Sequence, residues 1–268
     1  MINIILAIAS LGILGIVFGL ILAFASKIFA VKTDERLEKI VEVLPNANCG
    51  GCGYAGCSAF AAAVVEGKAK VNGCPVGGEA VSKKVGEIMG VSGEEPIRLR
   101  AVVNCCGEND KASRKFIYNG VMDCHSAMQI GGGEKECPYG CLGYGDCLKA
   151  CKFGAISIEY NVAKIDPDKC VACGMCKDAC PKGIISLIPY DEDFWVLCAS
   201  KDKGIVTKNY CKLGCIGCKI CEKSCPSGAI TVDGSLAKID YEKCTKCGIC
   251  YEKCPRNVIV NYKLLDKE

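Results

Sequence analysis

Cysteines three residues apart converge on one point once the chain turns, and this sequence repeats that spacing along much of its length, as in Cys244, Cys247 and Cys250. Its 268 residues hold 25 Cys but one His, one Trp and only 7% aromatic residues. After the apolar N-terminus there is too little large apolar material for an ordinary core, so disulfides or metal must stand in for it. Disulfide-dense scaffolds are typically short, secreted and even in cysteine number. Here the count is odd and the cysteines are grouped, which points to metal and to a reducing compartment.

The most specific pattern is Cys215-x2-Cys218-x2-Cys221-x3-Cys225-Pro226 followed by Cys244-x2-Cys247-x2-Cys250-x3-Cys254-Pro255. In two-cluster bacterial ferredoxins the first three cysteines of each run hold one [4Fe–4S] cluster and the fourth holds the other. The crossed sets are then Cys215, Cys218, Cys221 with Cys254, and Cys244, Cys247, Cys250 with Cys225. A zinc site would instead call for isolated C-x2-C pairs. Upstream, Cys170-x2-Cys173-x2-Cys176-x3-Cys180-Pro181 is regular, but its partner reads Cys137-x3-Cys141-x5-Cys147-x3-Cys151-Lys152. The repeat logic groups Cys137, Cys141, Cys147 and Cys180, and separately Cys170, Cys173, Cys176 and Cys151.

A fifth group is Cys49-x2-Cys52-x4-Cys57-x16-Cys74, with Gly50, Gly51, Gly53 and Gly56 leaving the sulfurs open to backbone N–H groups. Alone it could be zinc, and its company favours a fifth cubane. A [4Fe–4S] core on four thiolates carries about −2, so five would take the formal charge from +3 to roughly −7. Cys105, Cys106, Cys124, Cys198 and Cys211 remain, in two similar prefaces ahead of the two double motifs. They read either as buried structural thiols or as a redox pair or further metal site. His125 reads as structural.

The double motifs form an internal repeat: 29 residues separate Cys151 from Cys180 and Cys225 from Cys254, and 45 separate Cys180 from Cys225. Hairpins are expected at Ile156–Glu159 with Val162–Ile165, and at Ile230–Asp233 with Leu236–Ile239. Strands are also expected at Arg100–Asn104 and Phe116–Asn119. A helix is expected over 33–44, capped by Thr33, with Leu37, Ile40, Val41 and Leu44 on one face. Residues 75–100 read as a polar helical linker or small packing element.

Residues 2–26 carry no charge, enough for a membrane-spanning helix. Gly15 and Gly19 form a G-x-x-x-G pair that either permits helix–helix approach or is simply tolerated. A cleaved signal peptide at Ala23-Phe24-Ala25 is disfavoured by the missing basic n-region. Lys27, Lys32 and Arg36 follow the segment, which puts the C-terminal bulk in the cytoplasm. No dinucleotide fingerprint, P-loop or H-E-x-x-H motif occurs, Gly131-Gly132-Gly133 being an isolated run, and nothing points to nucleic acid.

The expected fold class is α+β: a transmembrane anchor (1–27), a four-Cys helical domain (33–92), a small linker element (93–136), a ferredoxin unit (137–190), a second linker element (191–210) and a second ferredoxin unit (211–268). The order of apolar anchor, NCGGCGYAGC group, VNCC…DC…YGCLGYGDC and ferredoxin repeats resembles the B subunits of the Rnf complexes, membrane ferredoxin:NAD⁺ oxidoreductases coupled to Na⁺ or H⁺ translocation. The resemblance implies that Cys49, Cys52, Cys57 and Cys74 hold the membrane-proximal cluster. It also implies soluble ferredoxin as electron donor and the other subunits of the complex as partners. Many such subunits have one ferredoxin unit here, whereas this chain has two, which leaves open where electrons enter. Lys212, Lys219, Lys223, Lys243, Lys246 and Lys253 either dock an acidic ferredoxin or offset cluster charge. A polyferredoxin subunit of another membrane oxidoreductase, or a zinc-stapled scaffold, are the other readings.

Overall fold

A computed structural model describes residues 2–28, 34–91 and 97–265. The N-terminal apolar segment is one helix, α1 (Ile2–Ile28). Its described side chains are those of 11–25, almost all exposed. Among the described residues no helix is long and apolar enough to cross a membrane, which corrects the expected transmembrane helix and its single-pass topology. The side chain of Lys27, all of Lys32 and Thr33, and the boundary at 92 lie outside what is described.

The next helix, α2 (Glu35–Val43), starts at Asp34, whose carboxylate accepts the Arg36 N–H at 2.9 Å. Its face of Leu37, Ile40, Val41 and Leu44 packs on α3 (Cys57–Val65) and α4 (Gly78–Met89), around Phe60, Val64 and Val85. Because Val85 is fully buried, α4 belongs to this small core rather than to a linker.

Two similar units follow. The first runs β1 (Leu99–Val103), α5 (Cys124–Gln129), α6 (Asp146–Ala150), β2 (Ile156–Glu159), β3 (Val162–Ile165), α7 (Met175–Asp178) and β4 (Ile185–Pro189). The second runs β5 (Phe194–Val196), α8 (Gly204–Tyr210), α9 (Ile220–Ser224), β6 (Ile230–Asp233), β7 (Leu236–Ile239), α10 (Ile249–Glu252) and β8 (Ile259–Asn261), with α11 (Tyr262–Leu265) at the end. Both expected hairpins form as antiparallel pairs, Ile156 opposite Ile165 and Ile230 opposite Ile239. Their turn residues have φ of 48° and 65° at Tyr160 and Asn161, and 54° and 72° at Gly234 and Ser235, the positive pair of a type I′ turn.

The prefaces are structural parts of the units. Strand β1 pairs with β4 from Leu99–Pro189 to Val103–Ile185, and β5 pairs with β8 from Phe194–Asn261 to Val196–Ile259. The strand expected at Phe116–Asn119 does not form; that segment is a loop whose Tyr118 packs on Tyr144 with ring centroids 5.4 Å apart. Buried Arg100 of β1 locks the units together: it donates to the Glu192 carbonyl at 2.5 Å and lies over the Tyr262 and Trp195 rings at 4.3 and 5.1 Å. The chain around Ala112 also bridges to Cys211, with Ser113 donating to the Tyr210 carbonyl at 2.9 Å.

Candidate metal centres

Short helices and left-handed turns aim the thiols of each motif inward. In the second unit Cys215, Cys218, Cys221 and Cys254 line one small cavity of ≈ 20 Å³. Beside it Cys244, Cys247 and Cys250 face one another, with Cys225 near Cys244. The turn of the β6–β7 hairpin lies so close over the cysteine loop that a Cβ on Gly217 would sit 2.7 Å from the Ser235 Cα. In the first unit Cys151, Cys170, Cys173 and Cys176 line an equivalent ≈ 20 Å³ cavity. At the N-terminus Cys74 stands beside Cys52 and Cys57. This domain abuts the first unit: a Cβ on Gly51 would lie 2.5 Å from the Cys173 carbonyl oxygen, and Cys49 is a near neighbour of Cys173.

One grouping read from the sequence changes. The remaining cavity of the first unit, again ≈ 20 Å³, is lined by Cys141, Cys147 and Cys180 as expected, but its fourth cysteine is Cys124, not Cys137. The Cys141-x5-Cys147 spacing lacks the middle thiol that Cys218 supplies in the second unit, and α5 brings Cys124 into that place. Asp146 holds α5 there: its carboxylate accepts the N–H groups of Cys124 and His125 at 3.0 and 3.1 Å and lies 2.6 Å from the His125 ring nitrogen. Asp123, His125 and Asp146 approach one another closely enough for a cation, but their hydrogen bonds account for them as the anchor of α5.

Cys137 lies elsewhere. With Cys105, Cys106, Cys198 and Cys211 it lines a fourth ≈ 20 Å³ cavity, where the two units meet. Cys106 and Cys211 are hydrogen-bonded to each other, which with burial pushes the Cys106 thiol well up and draws that of Cys211 down. A cleft of ≈ 680 Å³ along Arg100, Ile156 and Trp195 has Cys105 as its one lining cysteine among the described residues.

The donor sets fit [4Fe–4S] clusters. Cysteines supply the free donors of each cage, the Asp146 carboxylate that also lines the Cys124 cavity being taken up by the Cys124 and His125 N–H groups. The sulfurs accept backbone N–H groups, as Cys170 does from Ala101 at 3.4 Å and Cys173 from Met175. Burial pushes the Cys147 thiol up to about 12 and those of Cys176, Cys221 and Cys250 up to about 11, so without metal they are protonated at neutral pH. Iron ligation removes those protons. The outer cysteines Cys218 and Cys247 are exposed. Of the lysines around them, Lys219, Lys243 and Lys246 stand 3.8, 3.0 and 3.7 Å from Glu222, Asp240 and Glu192.

Known families agree with this chemistry. An Fe–S cluster family matches residues 44–76, and two 4Fe-4S dicluster domain families match 139–184 and 214–259. The chain is 47% identical over 250 residues (93% of it, 75% of the relative) to the B subunit of the Na⁺-translocating ferredoxin:NAD⁺ oxidoreductase complex of Acetobacterium woodii. It is 44% identical over 254 residues (94% and 96%) to the B subunit of the ion-translocating oxidoreductase complex of Methanosarcina acetivorans. It is 41% identical over 262 residues (96% and 92%) to the B subunit of the proton-translocating ferredoxin:NAD⁺ oxidoreductase complex of Clostridium ljungdahlii.

Proposed function

The chain belongs to the Rnf-type B subunits of ion-translocating oxidoreductase complexes, and from that premise we propose that it carries electrons through five [4Fe–4S] clusters from soluble ferredoxin towards the other subunits. It is an iron–sulfur electron-transfer component of an ion-translocating ferredoxin:NAD⁺ oxidoreductase. Ion translocation requires a membrane, so the complex is membrane-associated. The chain's cysteine-rich bulk faces the cytoplasm, where ferredoxin and NAD⁺ are found.

The ligand sets we assign are Cys49, Cys52, Cys57, Cys74; Cys151, Cys170, Cys173, Cys176; Cys124, Cys141, Cys147, Cys180; Cys215, Cys218, Cys221, Cys254; and Cys225, Cys244, Cys247, Cys250. When bound, such clusters supply one-electron oxidation and reduction at potentials set by charge, hydrogen bonds to sulfur and exposure. The backbone N–H groups at the sulfurs stabilise the reduced, more negative state. The exposure of Cys218 and Cys247 supports the second unit as the face for ferredoxin, with exposed Lys223 and Lys253 in the same two motifs. The approach of Gly51 to the Cys173 carbonyl joins the first unit to the N-terminal domain, so electrons leave at that end. The apolar surface of α1 suits contact with lipid or with apolar subunits; no span is assigned to it.

The observation that carries this reading is the set of all-thiol cages in one chain of this family. Iron and acid-labile sulfide in the anaerobically purified chain test it. At least about 20 of each per chain is expected from four-iron clusters, whereas stoichiometric zinc without sulfide would overturn it.

A further inference from the structure

We propose that the cavity between the two units is a sixth [4Fe–4S] site, held by Cys105, Cys137, Cys198 and Cys211, an inference that rests on the cluster reading of the other cages. The internal repeat pairs these residues. Cys137, Cys141, Cys147 and Cys151 each recur 74 residues later, as Cys211, Cys215, Cys221 and Cys225. Cys105 and Cys198 hold the same place after β1 and β5. Each unit thus gives two thiols to one cavity, equal at ≈ 20 Å³ to the three that the ferredoxin motifs line.

The hydrogen bonds repeat with the thiols. Cys105 Sγ accepts the N–H groups of Gly107 and Cys141 at 3.4 and 3.3 Å. Cys198 Sγ accepts those of Ser200 and Cys215, both at 3.4 Å. Cys137 accepts from Tyr139, and Cys211 from Leu213 and Gly214. A backbone N–H two residues on, bonded to the sulfur, also marks Cys74, Cys173 and Cys244. Cys106, the fifth thiol, stands where the second unit has Ala199. It is therefore assigned as a neighbour of the cluster and not a ligand.

The charge around the cavity has the sign an anionic group needs. Lys135 lines it and is 1% exposed. Its ammonium donates to the carbonyls of Gly107 and Asn161 at 2.6 and 2.9 Å, and among the described residues it has no carboxylate within ion-pair distance. Arg256 donates to the Cys211 carbonyl at 2.7 Å. One [4Fe–4S]²⁺ core on four thiolates carries about −2, the four thiol protons going to solvent on assembly. The site also lies on the path. Cys105 touches the backbone of Cys141 in one inner cage, and Cys198 touches that of Cys215 in the other. A one-electron carrier here joins two units whose cages are otherwise separated by the interface.

Native mass spectrometry of the anaerobic full-length chain counts the clusters. Six, or about 24 Fe and 24 sulfide, are expected, with Cys106→Ser also at six and Cys198→Ser/Cys211→Ser at five. Five clusters in the unaltered chain, or five and one zinc, would overturn the sixth site and leave the other five standing. No clusters at all would remove both readings. If the double variant does not fold, alkylation of the folded unaltered chain decides: protected Cys105, Cys137, Cys198 and Cys211 support the site, and ready labelling of them contradicts it.

Discussion

The two ferredoxin-like units solve one problem in different ways. In the second, the inner cage is filled by its own paired runs, Cys215, Cys218 and Cys221 with Cys254. In the first, the equivalent run has no middle cysteine, and Cys124 reaches in from a helix in the preface. The cage is conserved in space while its source in sequence shifts. The shift also explains Cys137: released from the cage the motif suggests, it stands with Cys105, Cys198 and Cys211 at the interface.

The largest effect that could break this comparison is loss of metal. Both units are built around thiols, with Cys141, Cys147 and Cys176 in one core and Cys215, Cys221 and Cys250 in the other. Chelating iron from the anaerobic chain should therefore unfold both together, read by Trp195 fluorescence and far-UV dichroism. A unit that kept its native signal would show that it has an independent core. Next, Cys124→Ser should cost the first unit a whole cluster, about four Fe per chain, as Cys218→Ser should in the second. Full iron in Cys124→Ser would return that corner to Cys137.

Glycine substitutions at the two hairpin contacts ask whether the units share one architecture. Gly143 and Gly217 both have positive φ, 76° and 64°, and a Cβ on either would meet the backbone of the opposing turn at 2.6 and 2.7 Å. Alanine at each should destabilise its unit by about 2–3 kcal/mol, measured by denaturant titration of the loaded protein. A much smaller cost at one site would separate the units. Asp146→Asn tests the device found only in the first unit. Weakening its hold on α5 should cost about 1–2 kcal/mol and speed iron release from the Cys124 cage, with the second unit unchanged.

Much of this was legible in the sequence because the relevant distances are short along the chain. Type I′ hairpins and three-residue cysteine spacings are local, and both appear where the residues predict them. The apolar face of α2 was equally plain, and its cap is Asp34. Cys124 could not be assigned by spacing, since its position depends on the hydrogen bonds of Asp146. The prefaces read as linkers because the partners of β1 and β5 lie far along the chain. One signal for the interface was available: the 74-residue repeat that equates Cys137 with Cys211.

The smallest expected effect concerns the outer face of the second unit. Lys223→Glu with Lys253→Glu should slow oxidation of reduced ferredoxin by roughly two- to fivefold at low salt, and less as salt rises. Equal slowing at all ionic strengths would point away from charge steering.

The most direct test of the central claim is an iron-edge anomalous map of the anaerobically crystallised chain. It should place a four-iron cluster within bonding distance of Cys124, Cys141, Cys147 and Cys180, with Cys137 turned to the interface. A cluster bound by Cys137, with Cys124 as a free thiol, would contradict it.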